Sequence, residues 1–582
     1  MKRLINLFLF PALLLVGGCL GNNQLDPYGQ GNESYTDTPV DPVAVDTSIE
    51  DPFELEDEDD AIANTKFNRT ITIVFGASGA TVTGDDNGTV TVDGNNVTVN
   101  HTGDDAVRYE LSGTAASGFF KVYGEKKQAI VLNGLDLTNP NGAAINNQNK
   151  KRTFIVVNGT NKLADGSKYS ATPDGEDEKG AFFSEAQLIF SGSGSLSVTA
   201  TGGKAGISSD DYVRVLDGPA ITVSSAKGHG VRGKDAVVIG GGTLDITVKK
   251  EGKKAITSDG TVRIDGGKTT LSVSGGVDDS DLTDLSSSSG IKADVAFVMN
   301  DGELSITNSG QGGKGISGDA AGKIAGGSVK ISVTGANYEV TGADAIGLED
   351  TSCSAKGIKF DGKLVITGGD IQVSAKNHEA IEAKGDMVIA GGEIYATSTD
   401  DAINSGGNLI IDSGRVFAWS TGNDGIDANG DCYIQGGTVF AIGSGSPEVA
   451  IDANTEEGHT LYIIGGTVVA FGGLEGGAHL SQACYAASAA KNTWYGLYAD
   501  GTLAFAFMAP ASNNTMVVST SGTTTLKSGV SASGDSFFQG LGATAASGGS
   551  NVNLTSYSSG NAMGGPGQGG QGGPGGGPGG RW

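Results

Sequence analysis

A repeat of short strand pairs limits the fold of this chain more than any other feature of its sequence. Each pair consists of two apolar stretches of a few residues that meet at a Gly-Gly or Ser-Gly turn. The turns end at Gly242 and Gly267, 25 residues apart, and then at Gly369, Gly392, Gly414, Gly437 and Gly466, at spacings of 23, 22, 23 and 29 residues. One such unit is too short and too one-sided to bury its apolar side chains alone, so successive units must stack. The repeat predicts an all-β protein, a parallel β-helix with β-rich caps at both ends.

Composition and the repeat together divide the chain into six predicted segments. They are a signal peptide over residues 1–18, a lipidated acidic disordered tether over 19–63, an N-terminal β cap with the first coils over 64–160, the parallel β-helix over 161–473, a C-terminal β segment over 474–560 and a Gly/Pro-rich disordered tail over 561–582. The tail has no apolar residues with which to build a core, which is why we expect it to be disordered.

The N-terminus indicates where the protein resides. A basic start and a short apolar run lead into Val16-Gly17-Gly18-Cys19, which resembles a lipobox. We therefore expect Cys19 to carry a lipid that anchors the protein in a bacterial cell envelope, at the outer membrane or the cell surface. No other membrane contact is expected. The alternative is an ordinary signal peptide with a chance cysteine.

Charge excludes one class of partner. The chain has a formal net charge of −28, and residues 20–65 hold thirteen acidic and no basic side chains. Acids at this density repel one another, so this stretch is predicted to be a solvated tether. Nucleic acid is excluded as a partner, because phosphate contacts need a basic surface. Cys353, Cys432 and Cys484 are too few and too widely spaced for a disulfide framework or a zinc site, and Cys432 falls on a predicted core position. We expect a monomer.

Two stretches of the chain resemble a known family. Residues 129–138, 142–145 and 159–166 form one, and residues 228–239 form the other. Both look like the extracellular carbohydrate-binding β-helix proteins first described in cellulose-degrading clostridia, and the likeness runs over roughly residues 95–475. The resemblance implies a calcium-bearing right-handed parallel β-helix that is related in fold to polysaccharide lyase family 9. It also implies that the protein binds acidic and cellulosic plant polysaccharides. Where that family tends to have Asp-Gly-Ile, this chain has His229-Gly230-Val231 and Lys254-Ala255-Ile256, which argues against calcium at those two coils.

A column of acidic side chains predicts a cation site. A short acidic motif precedes the first strand of each late coil at spacings of 22, 23 and 25 residues, so its carboxylates lie about 4.8 Å apart from coil to coil. The candidate ligands are Glu379, Glu382, Asp400, Asp401, Asp424, Asp427 and Asp452, of which Asp401, Asp424 and Asp427 are the best. Carboxylates at that distance repel unless a hard cation joins them, which predicts calcium. The alternative is a hydrated edge of ordinary turn residues.

Two further groups of residues are candidates for sugar contacts. The same edge is basic in earlier coils, where Lys254 would contact a uronate directly, or else belong to a solvated basic face. Aromatic residues stand at outward positions of consecutive late coils, at Tyr395, Phe417 and Phe440, with Trp419 two residues beyond Phe417. These rings predict either a platform on which sugars stack or a surface that the C-terminal segment covers.

The predicted function is calcium-dependent, non-catalytic binding of plant-type polysaccharide, acidic galacturonan or cellulose. A lyase is one alternative. It needs an unprotonated lysine or arginine beside the cation, and residues 416–490 contain neither residue type. A structural or adhesive surface β-helix is the other alternative, because a solenoid also makes a rigid spike.

Overall fold

The computed structural model describes residues 36–53, 58–349, 351–511 and 513–560. Their regular structure is almost entirely β-strand, with five single-turn 3-10 helices at Glu58–Asp60, Ile62–Asn64, Gly342–Ala345, Thr455–Glu457 and Phe538–Gly540. None of the helices in these ranges is long and apolar enough to cross a membrane. The predicted signal peptide, Cys19 and the Gly/Pro-rich tail lie outside the described residues.

The body of the molecule is a parallel solenoid in which each full coil passes through three faces. A short strand on the first face leads through a tight bend to a strand on the second, and a glycine turn leads to a strand on the third. Ile207 pairs in register with Val231, and Val231 with Ile256, so each strand lies beside its counterpart in the next coil. The predicted all-β parallel β-helix is confirmed, and its right-handed sense stays a prediction.

We name the three faces by what lies on them. The charged face comprises the strands Val90–Asp93, Asn96–Asn100, Phe119–Gly124, Ile145–Asn149, Gly180–Ser184, Ala205–Ser209, Val231–Gly233, Lys254–Ser258, Ser289–Ala293, Lys314–Gly318, Ile358–Phe360, Ile381–Ala383, Ile403–Ser405 and Ile426–Ala428. The strap face comprises Thr153–Asn158, Leu188–Gly192, Tyr212–Val215, Ala236–Ile239, Thr261–Ile264, Ala296–Met299, Ala321–Ile324, Leu364–Ile366, Cys432–Ile434, Leu461–Ile463 and His479–Leu480. The barrel face comprises Thr160–Ala164, Ser195–Ala200, Ala220–Ser225, Thr243–Val248, Lys268–Val273, Glu303–Asn308, Ser328–Val333, Asp370–Ala375, Thr438–Ile442 and Thr467–Phe471.

The remaining strands join faces or cap the ends. Four run through both the strap and barrel faces, namely Val107–Ala115, Gln128–Thr138, Met387–Ser398 and Leu409–Ser420. Arg69–Phe75 and Thr81–Thr83 pair antiparallel at the N-terminal end, and Tyr338–Glu339 pairs with Ser352–Cys353 inside an insertion. At the other end, Cys484–Ala489, Asn513–Ser519 and Thr555–Ser556 extend the sheet, and Trp494–Ala499, Thr502–Met508, Thr524–Phe537 and Gly542–Asn551 form a small closed barrel.

Stacked aliphatic side chains fill the inside of the solenoid, and glycine makes its turns possible. Ile246, Ile256 and Ile264 are all fully buried in one continuous core. Gly267 has a φ of +73°, and a Cβ there would lie 2.6 Å from the backbone of Gly241 in the preceding coil. A side chain at this turn would therefore both strain the backbone and separate the coils.

Three insertions leave the solenoid at the same corner. Residues 165–179, 274–288 and 334–357 each connect a barrel-face strand to the next charged-face strand. All three flank the charged face, so they shape the surface beside it.

The acidic N-terminal segment is a strap, and the prediction of a disordered tether is wrong for its described part. The backbone N–H of Asp37 donates to the carbonyl of Leu480 in the last coil. Further along, Asp51 lies 3.1 Å from Arg263, and Asp60 pairs with Arg152 at 2.7 Å and Arg214 at 2.8 Å. The strap thus runs from the last coils back to the first. Lysines and arginines on the strap face neutralise the acidic side chains of the strap. The composition of the segment alone cannot reveal these partners.

Candidate functional site

Two columns of outward side chains define the charged face. Each coil carries an inward isoleucine, valine or leucine on this face, with one outward residue two positions before it and another directly after it. The first column is His229, Lys254, Ser289, Lys314, Lys356, Glu379, Asp401 and Asp424. The second is Arg232, Thr257, Lys292, Ser317, Lys359, Glu382, Asn404 and Asp427. Both columns change from basic to acidic at the same step along the solenoid.

At the coil where both columns change from basic to acidic, buried ionic side chains pair with one another. The ammonium of Lys356 lies 2.7 Å from Glu382 and 3.2 Å from Glu379, and all three side chains are buried. His378 contacts Glu379 and lies 3.1 Å from Asp400. Glu379 and Glu382 thus have a lysine as counter-ion, and His378 brings Glu379 together with Asp400, with the ligand atoms of the three residues within 4.8 Å of one another.

The next coils bring carboxylates together without such a partner. Asp401 and Asp424 are only 5% and 6% exposed, and the backbone N–H of Asp424 donates to Asp401 at 3.1 Å. The side-chain amide of Asn404 donates to Asp427 at 2.8 Å and to Asp401 at 3.2 Å. Within the described ranges, no lysine or arginine forms an ion pair with Asp401, Asp424 or Asp452.

The electrostatic cost of this arrangement appears in the pKa values. Burial, with the carboxylates of Asp427, Asp400 and Asp424 adding to it, raises the pKa of Asp401 to about 8. Burial likewise raises the pKa of Asp424 to about 7. The pKa of Asp452 rises to about 10 through burial and its hydrogen bond with Glu475. These coils therefore favour either protons or a bound cation.

The donor set fits a hard cation. Asp401, Asp427 and Asp452 offer carboxylate oxygens on three consecutive coils, which is the type of ligand that calcium takes, and the Asn404 amide lies between Asp401 and Asp427. We call these four residues the acidic site. Asp400 lies apart, because it accepts from Asn423 at 3.0 Å and contacts His378.

Sequence reasoning missed Glu475, which continues the acidic column by one more coil. Leu474 pairs with Ile451 through an isolated bridge, which places Glu475 directly after Asp452. Its spacing of 23 residues from Asp452 was a usable signal, but the coil lacks the short motif that marks the others.

Of the two interpretations of the aromatic ladder, the structure favours the second, in which the C-terminal segment covers the rings, and it excludes Phe417 and Phe440 from contact with a sugar. Phe417 and Phe440 are completely buried, and both pack against Phe538 of the C-terminal segment. The ring of Tyr395 stacks on that of Phe417 at 4.7 Å with an interplanar angle of 4°, and Trp419 packs at the edge of the same cluster. Phe417 meets Phe440 edge to face at an interplanar angle of 85°, so these rings pack against one another and against the C-terminal segment.

Lys254 is also not the exposed cation that the sequence suggested. Its ammonium donates to the Ser286 hydroxyl at 2.8 Å and to the Gly252 carbonyl at 2.7 Å, beneath the insertion over 274–288. Burial, with neighbouring lysines adding to it, lowers the pKa of Lys254 to about 8. Cys432, by contrast, is a fully buried core residue, as predicted.

Two comparisons with known proteins return a match. The model of a family described as "carbohydrate-binding domain-containing protein" matches residues 93–253 and 348–469, which confirms the resemblance over these two segments. Among solved structures, the chain is similar to the polysaccharide lyase-like protein from C. thermocellum, as its gadolinium derivative, at 23% identity and a TM-score of 0.37. That match covers 44% of this chain and 97% of the other. No curated protein matches the chain.

Proposed function

We propose that the protein binds polysaccharide without cleaving it, through calcium held at the acidic site. The observation that carries this proposal is the pair of buried carboxylates Asp401 and Asp424 on the charged face, with which no lysine or arginine of the described ranges forms an ion pair. The match of the carbohydrate-binding family model to these same coils supports a glycan as the ligand.

The accessible surface favours the charged face over the other two. The strap lies along the strap face, and the C-terminal barrel packs on the late coils of the barrel face. In the described part of the chain, neither segment covers the acidic site. Along the solenoid axis the coils repeat at about 4.8 Å, a spacing that allows several sugar units of a polymer to engage several coils.

Calcium would let an acidic polymer bind an acidic surface. A cation with six to eight oxygen ligands can accept Asp401 and Asp427 on one side and uronate carboxylates on the other. Galacturonan is therefore the proposed ligand, and cellulose would bind without using the ion. In keeping with the lipobox, we place the protein on the surface of the cell envelope, held by the lipid on Cys19.

Binding fits this site better than catalysis. A β-eliminating lyase needs a free base beside the cation to remove the C5 proton. Lys356, which belongs to the first column of the charged face, is held between Glu379 and Glu382 and is therefore not available as that base.

A pull-down with insoluble galacturonan and with cellulose, in calcium and in EGTA, tests the proposal. We expect calcium-dependent retention on galacturonan that Asp401→Asn with Asp427→Asn abolishes. Asp344→Asn is the matched control, because this exposed aspartate lies on the insertion over 334–357, away from the acidic site. Equal retention of all proteins in EGTA would contradict the role of calcium, and release of unsaturated sugars would contradict the non-catalytic assignment.

A further inference from the structure

A polar pocket lies at the opposite end of the charged face, some nine coils from the acidic site. Its floor is the outward surface of three successive strands, with Asn96 paired to Phe119 and Lys121 paired to Asn146. The insertion over 165–179 forms one wall and supplies Glu178, and the turn that carries Asn141 forms another. The cavity has a volume of about 310 Å³. We call it the amide pocket.

The wall of the amide pocket is fixed to its floor. Glu176 accepts hydrogen bonds from Lys121 and, at 2.6 Å, from the hydroxyl of Tyr123. The amide of Gln148 donates to the carbonyl of Asp177 at 2.8 Å, and the backbone N–H of Ser170 donates to the carbonyl of Asn141 at 2.8 Å. The insertion is thus held from both sides, and the cavity is formed before any ligand enters.

The lining selects an uncharged, hydroxyl-rich ligand. Carboxamides both donate and accept, as sugar hydroxyls do, and Asn96, Asn141 and Asn146 all border the cavity. The half-buried ring of Phe119 supplies an apolar surface for the C–H face of a sugar ring. Glu176 neutralises Lys121, so the pocket presents no free positive charge to a phosphate or a uronate.

Glu178 adds a fixed acceptor. One of its oxygens accepts the backbone N–H of Ala143 at 2.7 Å, which fixes the carboxyl group at the edge of the cavity. A carboxyl group held in this way can accept hydrogen bonds from two adjacent sugar hydroxyls, whereas it would repel a carboxylate ligand. The pocket therefore differs in chemistry from the acidic site, which needs a cation.

We infer that the amide pocket is a second carbohydrate site, which binds one or two neutral pyranose rings at a chain end or side branch. At the small end of the usual range for ligand pockets, about 300–1,000 Å³, it has room for a short saccharide rather than a passing polymer. The inference shares only its class of ligand with the proposed function, since neither calcium nor the acidic site takes part.

Calorimetric titration of the full chain with neutral disaccharides in EGTA tests this inference. The probes are cellobiose, xylobiose, mannobiose and β-1,4-galactobiose. We expect at least one to bind, and its affinity to fall at least tenfold in Asn141→Ala and in Ala171→Trp. Asn141 and Ala171 are exposed, so the fold should tolerate both changes, and the tryptophan would fill the cavity from the insertion.

Asn133→Ala is the matched control, because this exposed asparagine lies at the turn between the strap and barrel faces. It should bind as the unaltered protein does, and Asp401→Asn should too. Binding that survives both pocket variants, or an absence of binding by all four disaccharides, would overturn the inference. Calcium-dependent retention on galacturonan would persist in either case, so the two proposals fail separately.

Discussion

The basic and acidic halves of the charged face occupy the same two positions in the coil but hold their charges in different ways. In the basic half the chain itself supplies partners. Lys292 pairs with Asp294 at 2.9 Å, and the ammonium of Lys314 donates to the Ser287 hydroxyl at 2.7 Å. In the acidic half, Asp401 and Asp424 instead lie beside further carboxylates and an amide.

This difference shows that the described chain supplies partners for buried lysines of the basic half but no lysine or arginine partner for Asp401 and Asp424. A buried charge is tolerated only when it is paired and hydrogen-bonded. The insertion over 274–288 supplies Ser286 to Lys254 and Ser287 to Lys314, so these two lysines are structural. No such insertion covers the acidic half among the described residues, and a bound cation would do there what the loops do in the basic half.

The largest expected effect comes from removing the lysine at the boundary. Lys356→Met leaves two buried carboxylates without their counter-ion, which should destabilise the protein by about 3–5 kcal/mol. Thermal unfolding in EGTA measures the loss. Added calcium should recover part of it, because Glu379 and Glu382 would then extend the acidic column by one coil.

Lys359→Met is the matched control for this variant. Lys359 stands on the same coil but pairs with the more exposed Asp361, so its loss should cost at most about 1 kcal/mol. Equal destabilisation by the two variants would show that position on the face, rather than burial of the pair, decides the cost.

Parts of the fold were predictable because they repeat. The glycine turns and the inward aliphatic residues recur at nearly constant spacing, so local sequence was enough to identify the coils. The strap was not predictable, since Asp51 and Asp60 take their partners from Arg263 and Arg152, far away in sequence. An acidic segment read alone has the composition of a disordered tether, and only the folded solenoid supplies the opposite charge.

The next largest effect is that of calcium on the unaltered protein. An ion that binds only the folded state stabilises it by about 3 kcal/mol at a free concentration one hundred times its dissociation constant. The melting temperature should therefore rise with calcium and fall with EGTA. Asp401→Asn with Asp427→Asn should remove this response, and Asp344→Asn should keep it. A melting temperature that does not change with calcium would indicate that the acidic half is a hydrated edge without a bound ion.

Only part of the candidate site could be predicted from the sequence. The acidic column was readable because its spacing matches the coil, but outward aromatic residues have the same spacing whether they face solvent or a neighbouring domain. Phe417 and Phe440 are outward from the solenoid and still buried, because the C-terminal barrel covers them. The amide pocket left no sequence signal either, since its residues come from separate coils and an insertion.

The smallest expected effect on stability comes from replacing a single carboxylate in each half of the charged face. The replacement should stabilise the protein in the acidic half and destabilise it in the basic half. In EGTA, Asp424→Asn should stabilise the protein by roughly 0.2–1 kcal/mol, since it relieves repulsion between like charges on adjacent strands. The asparagine oxygen can still accept the backbone N–H of Val449, which now donates to Asp424 at 2.6 Å, so no hydrogen bond is lost. Asp361→Asn should lower stability by a similar amount, because Asp361 is the partner of Lys359. Melting temperatures of both variants in EGTA measure the two signs. Destabilisation by both changes would mean that the chain already satisfies the carboxylates of the acidic half, and the case for a bound cation would then be lost.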